Sequence, residues 1–344
     1  MNIFNSLPAY FRHRLGTRAQ KIPLDAGSGC PNRDGTLSRG GCIFCNAAGS
    51  GSGMALSGTS LHDQWNIWRD RYAQSGRKQA YIAYLQSFSN TYGPAERLAS
   101  LMDTVQSLPD AMGISIGTRP DCLDAQKLDI LAASRLPETW LELGVQTAHD
   151  QTLHLINRRH NAAASAWAIT EAAARGIRVC AHVIFGLPNE TPSQMLETVQ
   201  WLNGLPILGI KFHNLYVCHN TALADLYARG DYTPLTRQAY IDILVEALCM
   251  LRPDIVVHRL TGDPELEELV APLWAAEKPD LIRDIDLAMR RPNLWQGCRA
   301  SGDWTAVDRP LWFDNPADMS KKKLGALELA LEELREMNSF YVRK

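Results

Sequence analysis

The chain has 344 residues, of which 46% are hydrophobic and 21% are charged, so it can bury a sizeable core and is not a disordered chain. Its formal net charge of −2 excludes a globally basic nucleic-acid-binding protein, although it leaves room for a local basic patch. No run of 18 apolar residues occurs, and the segment 1–16 has no apolar leader-type stretch, so we expect a cytoplasmic protein without membrane association.

Six short segments predict β-strands in chain order. They are mostly apolar throughout, which is typical of strands that are covered on both faces. Amphipathic segments that predict helices lie between them. The predicted strands are 21–25, 80–86, 112–118, 139–146, 178–185 and 207–217.

Helix boundaries are marked most clearly in the second half of the chain. Asn161 is a predicted N-cap, and Gly176 marks the end of the same helix. Thr191 precedes Pro192 and is followed by Gln194 three positions later, which predicts a helix with a capping box. From about residue 221 onward the pattern is helical, with amphipathic segments at 237–253 and 321–340.

Strands that alternate with helices predict a parallel sheet. The predicted fold class is α/β, an incomplete (β/α)6 TIM-like barrel of parallel strands with a mainly helical C-terminal extension. We expect an N-terminal extension at 1–20, the barrel at 21–220, and a helical extension at 221–344 that packs on the barrel.

Three cysteines are concentrated in the loop after the first predicted strand, where a barrel of this kind has its active face. Cys30, Cys42 and Cys45 have the spacing C-x11-C-x2-C. Three thiolates leave one metal position open, and a 4Fe–4S cluster with one unligated iron fits that number. Two alternatives stay open at this point: a zinc site with His62 as fourth ligand, and three unrelated buried cysteines.

The loop, with Phe44 before its third cysteine, resembles the cluster loop of radical S-adenosylmethionine (SAM) enzymes. The usual spacing there is C-x3-C-x2-C, and the longer gap is similar to that of Elongator's catalytic subunit. The segments CPNRDGT, GGCIFCN, RLTGD and QGC resemble the YhcC-like radical SAM proteins. The resemblance implies a 4Fe–4S cluster held by the three cysteines, SAM chelated to the fourth iron, and an electron donor such as flavodoxin or ferredoxin. It also implies reductive cleavage of SAM to a 5′-deoxyadenosyl radical.

The same resemblance implies contacts to SAM at the ends of the later strands. Gln146 matches a ribose contact of coproporphyrinogen dehydrogenase and Elongator relatives, and Arg158 matches an arginine that binds the SAM carboxylate. A solvated helical arginine is the alternative for Arg158. In the segment 182–191 the backbone is expected to contact adenine, at Phe185 and Leu187, and His182 stands where the dehydrogenases carry an acid.

Two further strand ends match less specific positions of the superfamily. Gln86 and Ser87 stand where a Gly-Gly-Glu segment binds the SAM amino group. Thr118 and Arg119 are expected at the barrel mouth, with ordinary loop chemistry as the alternative.

Several chemistry-bearing residues have no assigned role. Glu142 and Glu190 lie in predicted strand or strand-end segments without an assigned partner. Gly49, Gly51 and Gly53 could bring backbone amides to a cluster or form a flexible crossing. The other cysteines are expected to be core residues, although Cys218 and Cys298 could reach the active face. They are Cys122, Cys180, Cys218, Cys249 and Cys298.

Because the named relatives modify tRNA, the resemblance favours tRNA as substrate, with the side chain of a wobble uridine as target. Basic residues at 12–21 on the approach to the loop and lysines at 321–323 could neutralise phosphates. Trp65, Trp68, His160 and Trp167 could stack on bases or belong to the core. The alternatives are a radical SAM enzyme for a small metabolite, and a metal-stabilised RNA-binding module without catalysis. The basic residues are Arg12, His13, Arg14, Arg18 and Lys21.

Overall fold

The computed structural model describes residues 3–46, 49, 58–74, 76, 79–290 and 294–302. Within these residues, seven parallel strands form one sheet that curls into a half-barrel, in the order β1-β2-β3-β4-β5-β6-β8. The strands β7 and β9 form a separate antiparallel pair. The strands are β1 (Arg18–Leu24), β2 (Gln79–Leu85), β3 (Ala111–Thr118), β4 (Glu138–Gln146), β5 (Arg178–Phe185), β6 (Gly209–Asn214), β7 (Val217–Cys218), β8 (Val256–Arg259) and β9 (Leu269–Ala271).

Helices connect the consecutive parallel strands, as crossover connections require. The incomplete α/β barrel predicted from the sequence is therefore confirmed. The helices are α1 (Leu7–Leu15), α2 (Leu61–Ala73), α3 (Ala95–Gln106), α4 (Ala125–Ala132), α5 (Asp150–Leu155), α6 (Ala162–Ala174), α7 (Pro192–Asn203), α8 (Ala222–Ala228), α9 (Arg237–Met250) and α10 (Lys278–Met289).

The predicted helix boundaries are confirmed where the capping signals were specific. The side chain of Asn161 accepts a hydrogen bond from the backbone N–H of Ala164 at the start of α6. Thr191 and Gln194 form a reciprocal capping box at the start of α7. The amphipathic segment at 237–253 contains α9. The helix predicted at 321–340 lies outside the described residues.

All six predicted strands are present, and two features extend the prediction. The last predicted strand, 207–217, is divided into β6 and β7, because the chain leaves the parallel sheet after Asn214. The seventh strand, β8, lies in the segment predicted to be mainly helical. It has only 4 residues, too few for periodicity to separate a strand from a loop.

The two faces of β4 carry different side chains. Leu141, Leu143 and Val145 belong to the large apolar core that lies between the sheet and the outer helices. Glu142 and Gly144 alternate with them, and both line a cleft in the barrel. The inner face of the sheet is therefore partly polar, in contrast to the outer face.

Helix α1 closes one end of the barrel. Tyr10 and Phe11 pack with Trp140 in an apolar cluster, and Glu138 accepts hydrogen bonds from Tyr10 Oη and Trp140 Nε1 at 3.2 and 2.9 Å. These contacts lie at the start of β4, so the opposite end, where the parallel strands finish, stays available for a site. None of the described helices has the length and apolar character needed to cross a membrane.

Candidate active site

The cysteine loop follows β1 and is folded by its own backbone hydrogen bonds. The N–H of Arg33 donates to the carbonyl of Cys30 at 2.9 Å, and the N–H of Cys45 donates to the carbonyl of Cys42 at 3.0 Å. The N–H of Leu37 donates back to the carbonyl of Pro31 at 2.7 Å. The bonds from Arg33 and Leu37 fold the long segment between Cys30 and Cys42 back on itself, and the bond from Cys45 forms a turn between Cys42 and Cys45.

A second set of hydrogen bonds docks this loop on the segment after α5. Asn32 Nδ2 donates to the carbonyl of Asn157 at 2.6 Å, and Asn157 Nδ2 donates to the carbonyl of Gly41 at 2.5 Å. The N–H of Ile43 donates to the carbonyl of Ile156 at 3.2 Å. The position of Cys42 is therefore fixed relative to the residues that follow β4.

All three cysteines line one cleft at the strand ends, which encloses about 920 Å³ of space including its open mouth. Five of the SAM contacts predicted from the resemblance line the same cleft, and three do not. Ser87, Phe185 and Leu187 are buried outside it. The five that line it are Gln86, Thr118, Gln146, Arg158 and His182.

Arg158 is buried, with 7% of its surface exposed, so the alternative of a solvated helical arginine is wrong. Its Nη1 donates to Cys42 Sγ at 3.4 Å, and its Nη2 donates to the carbonyl of Gly144 at 2.7 Å. The Nε atom donates to His160 Nε2 at 3.0 Å. The guanidinium is thus held directly against one of the three cysteine sulfurs.

Gly144 provides the space for this guanidinium. A Cβ atom at this position would lie 2.4 Å from Arg158 Nη2 and 2.7 Å from Gln146 Nε2. Gln146 itself has a φ of 74°, a left-handed conformation that is unfavourable for a residue with a side chain. Two local features therefore shape the end of β4 at the cleft: the missing Cβ of Gly144 and the left-handed backbone of Gln146.

Arg119 offers a hydrogen-bond donor that has no acceptor in the part of the chain that the structure describes. Its Nε and Nη2 bind both carboxylate oxygens of Asp121 at 2.9 and 2.8 Å, and Nη2 also donates to the carbonyl of Arg158 at 2.7 Å. Its Nη1 is buried and has no partner among the described residues. Because an unpaired buried donor is costly, this N–H is suited to an anionic ligand in the cleft.

The deep wall of the cleft contains a buried carboxylate surrounded by cations. Glu142 is fully buried; it accepts from Lys21 Nζ at 2.5 Å, from His182 Nε2 at 2.8 Å and from Ser115 Oγ at 2.5 Å, and it pairs with Lys211 Nζ. Burial by itself would raise the pKa of Glu142, but Lys21 and Lys211 outweigh it and hold that pKa well below its usual value. Burial and Lys211 lower the pKa of His182 to about 4, so its ring is neutral at pH 7.

The donor set fits an iron–sulfur cluster. Burial raises the pKa of the Cys45 thiol to about 11, and the neighbouring Cys42 adds to this shift, so a bound metal centre is what would stabilise the thiolates. Asn32 Nδ2 lies 3.6 Å from Cys42 Sγ and, with Arg158, supplies donors to the sulfur.

A single-ion zinc site is not supported. Among the described residues no three His, Cys, Asp or Glu side chains lie close enough together to hold one metal ion. His62, the proposed fourth ligand, lies at the start of α2 and its Nε2 is 3.2 Å from Ser107 Oγ instead.

Comparison with known proteins identifies the family. The model of the radical SAM superfamily matches residues 27–202, and that of the radical SAM C-terminal domain matches residues 207–291. The chain belongs to the radical SAM superfamily. The cofactors of this superfamily, a 4Fe–4S cluster and SAM, are accordingly those of this radical SAM protein.

Two curated relatives match this radical SAM protein over most of their length. It is 36% identical to protein YtqA of Bacillus subtilis over 295 residues, 86% of this chain and 92% of the relative. It is 34% identical to protein YhcC of Escherichia coli over 293 residues, 85% of this chain and 93% of the relative. The resemblance to YhcC-like proteins is confirmed.

A solved structure shares the fold. The archaeal Elp3 of Methanocaldococcus infernus superimposes with a TM-score of 0.64 at 14% identity, covering 82% of this chain and 64% of that chain. This radical SAM protein thus spans less than two thirds of that structure.

The predicted basic approach to the loop is wrong. Arg14 lies in α1 at the closed end of the barrel, where its Nε pairs with Glu138 at 3.2 Å. Lys21 points into the barrel and binds Glu142. Alternation along β1 and the packing of α1 separate side chains that are close in sequence. The lysines at 321–323 lie outside the described residues.

Other sequence-based expectations have mixed outcomes. Trp65 is fully buried and belongs to the core, whereas Trp167 is exposed. Gly49 lines the cleft, with Gly51 and Gly53 outside the described residues. Neither Cys218 nor Cys298 lines the cleft.

Sequence reasoning missed several residues that line the cleft. Lys211 and Arg259 are the most informative, since each is the one Lys or Arg residue of a short strand, a signal that the sequence contains. Arg33 lies over the ring of Phe88, 5.5 Å from its centroid, near the cysteine loop. The missed residues include Arg33, Tyr84, Ser89, Lys211, His213 and Arg259.

Proposed function

We propose that this chain cleaves SAM reductively at a 4Fe–4S cluster held by Cys30, Cys42 and Cys45, and uses the radical to modify a tRNA nucleoside, with the side chain of a wobble uridine as target. One observation supports the chemistry above all others: the three cysteines share a single cleft with Arg158, which donates to Cys42 Sγ. When bound, the cluster and SAM supply a 5′-deoxyadenosyl radical that abstracts a hydrogen atom from the substrate.

The residues of the chain hold and orient these groups. Arg158 and Asn32 donate to Cys42 Sγ and would orient this sulfur as a ligand of the cluster. The buried and unpaired Nη1 of Arg119 supports a role for Arg119 in binding the SAM carboxylate, beside the contact assigned to Arg158. Gln86 and Gln146 line the same cleft and are the proposed contacts to the SAM amino group and ribose.

Two observations support a nucleoside as substrate. The sequence motifs resemble those of Elongator's catalytic subunit, whose relatives modify tRNA. The stack of Arg33 on Phe88 provides a planar cation and an aromatic ring at the cleft, a combination on which a base can stack.

The chemistry is tested with protein purified without oxygen, reconstituted with iron and sulfide, and reduced with dithionite. The wild-type chain and the control Cys298→Ala should form 5′-deoxyadenosine from SAM, and Cys42→Ala should form none. Cys298 is the matched control because it packs on the main core away from the cleft. The proposed enzymatic activity would be refuted if the wild type binds zinc, shows no cluster absorbance and forms no product. That result would favour the metal-stabilised RNA-binding module.

The substrate is tested separately. Bulk tRNA from a strain that lacks the gene is added to the active enzyme, and its nucleosides are analysed by mass spectrometry. We expect a mass change at one nucleoside together with increased 5′-deoxyadenosine. If RNase-treated small-molecule extract stimulates cleavage and tRNA does not, the tRNA proposal fails and a metabolite is the substrate.

A further inference from the structure

Four neighbouring strands bring one residue each into a row across the inner face of the barrel. In the register of β4, β5, β6 and β8, Gly144 lies beside His182, His182 beside Lys211, and Lys211 beside Arg259. Arg158 lies over Gly144 at the cysteine end of the row. Counted along the sheet, Arg259 is three strand spacings from Gly144, about 14 Å.

A local irregularity produces this arrangement. Between β6 and β8 the register shifts: Ile210 pairs with Val257, but the next residue, Lys211, pairs with Arg259. The extra residue, His258, is bypassed. A bulge of this kind re-aims a side chain, and here it pairs Arg259 with Lys211, so that both residues line the cleft.

The far end of the row has more positive than negative charge. Lys21 and Lys211 pair with one buried carboxylate, that of Glu142, and Arg259 lines the same cleft as Glu142 and Lys211. Asp263 lies 4.0 Å from Arg259, but it is 59% exposed and pairs more closely with Lys278, at 2.6 Å. One buried carboxylate against these three cations leaves a surplus of positive charge at this end of the cleft.

Some N–H groups of Lys211 and Arg259 also have no acceptor among the described residues. Lys211 Nζ has three N–H groups, and the described residues provide two acceptors, Glu142 and Tyr84 Oη at 3.0 Å. Arg259 uses Nε on the carbonyl of Thr261 at 2.5 Å. Within the described part of the chain its Nη atoms have only the distant Asp263 as a partner. Several N–H groups therefore remain for a ligand.

We infer that the wall formed by Lys211 and Arg259 binds an anionic oxygen group of the substrate, a carboxylate or a phosphate, at the end of the cleft opposite the cysteines. The inference rests on the proposed function, because the anion belongs to the molecule that the radical attacks. The contact proposed above for the SAM carboxylate lies at the cysteine end, where Arg119 Nη1 has no partner among the described residues. His213 also lines the cleft, and burial holds the pKa of its imidazole well below the usual value. The two cationic ends would hold cofactor and substrate at a fixed separation.

The test uses the full-length holoprotein with SAM bound and no reductant, so that SAM is not consumed. Inorganic phosphate and malonate are titrated separately by calorimetry at constant ionic strength. We expect at least one probe to bind, and Arg259→Gln to weaken that binding at least about tenfold, the loss expected for a hydrogen bond between charged groups. Arg259→Lys, which keeps the charge, should recover part of the affinity. The probe that binds distinguishes phosphate from carboxylate.

Arg290→Gln is the matched control, because it removes the same charge from an exposed residue that pairs with Asp286 at the end of α10. Its anion affinity should stay within about twofold of the wild type, below the 1.4 kcal/mol that a tenfold change represents. If Arg259→Gln does not fold, Lys211→Gln must show the same loss of binding.

Two results would overturn the inference: no binding of either probe to the wild type, or equal binding by wild type and Arg259→Gln. Formation of 5′-deoxyadenosine by the wild type on addition of dithionite is measured in the same preparation. A protein that cleaves SAM but binds neither anion refutes only the anion site. A protein that does not cleave SAM refutes the proposed function whatever the titration shows.

Discussion

Arg158 Nη1 donates a hydrogen bond to Cys42 Sγ at 3.4 Å, and so joins the segment after β4 to the cysteine loop after β1. The same guanidinium is fixed by the carbonyl of Gly144 and by His160. A cation held against a ligand sulfur stabilises negative charge there.

Replacing Arg158 with Gln should therefore make reduction of the cluster harder. We expect the midpoint potential to become more negative by about 60 mV, since 59 mV corresponds to about 1.4 kcal/mol for one electron. The measurement is a redox titration followed by electron paramagnetic resonance. Arg175→Gln, at an exposed surface ion pair, should leave the potential unchanged. An unchanged potential in Arg158→Gln would show that this bond has no influence on the cluster.

A methyl group at position 144 should disturb the same contact. In Gly144→Ala the new Cβ would lie 2.4 Å from Arg158 Nη2, so the guanidinium must move. We expect a loss of about 1–3 kcal/mol in the free energy of unfolding, as for other overpacked sites. Urea denaturation measures it.

Gly204→Ala serves as the comparison for this substitution, since its Cβ would meet only the carbonyl of Trp201 at 3.4 Å. If the two variants have equal stability, the space around Gly144 is not limiting.

The carboxylate of Glu142 should be the main stabilising partner of the half-buried Lys21 and the buried Lys211. Glu142→Gln leaves Lys21 and Lys211 without their counter-charge, and we expect the free energy of unfolding to fall by about 3–5 kcal/mol. Glu246→Gln removes a carboxylate from an exposed pair with Arg299 and should cost about 1 kcal/mol or less. Urea denaturation at pH 7.5 compares the two variants. A small effect at Glu142 would mean that solvent in the cleft compensates the lysines.

His182 should make stability depend on pH below neutrality. Its pKa is lowered to about 4 by burial and by Lys211, against about 6.5 for an unfolded histidine. Between these values the unfolded chain binds a proton that the folded chain does not. Stability from this residue is therefore complete above pH 6.5 and decreases as the pH falls toward 4, by about 1.4 kcal/mol per pH unit.

The measurement is urea denaturation of the wild type and His182→Gln between pH 7.5 and 5. The variant should lack that part of the slope, whereas His154→Gln, which removes an exposed imidazole, should retain it. Parallel slopes for wild type and His182→Gln would contradict the assignment.

The sequence by itself determined the features that depend on neighbours along the chain. Helix caps at Asn161 and Thr191 are local hydrogen bonds, and they were predicted correctly. Strand segments of seven to nine residues carry enough apolar character to be recognised, and the parallel sheet follows from their alternation with helices. The cysteine pattern and its resemblance predicted the superfamily and its cofactors, which the family comparison confirms.

Only the tertiary structure decided which side chains share the cleft. The bond between Arg158 and Cys42 joins residues 116 positions apart, and a sequence pattern cannot specify such a contact. The row from His182 to Arg259 depends on strand register and on the bulge at β8, and a one-residue change in register would turn its side chains away from the cleft. Arg14 and Lys21 are close in sequence but lie at different depths of the barrel, because strand alternation and the packing of α1 separate them. The sequence thus shows which chemical groups are present, whereas the pairing of the strands determines which of these groups lie close together.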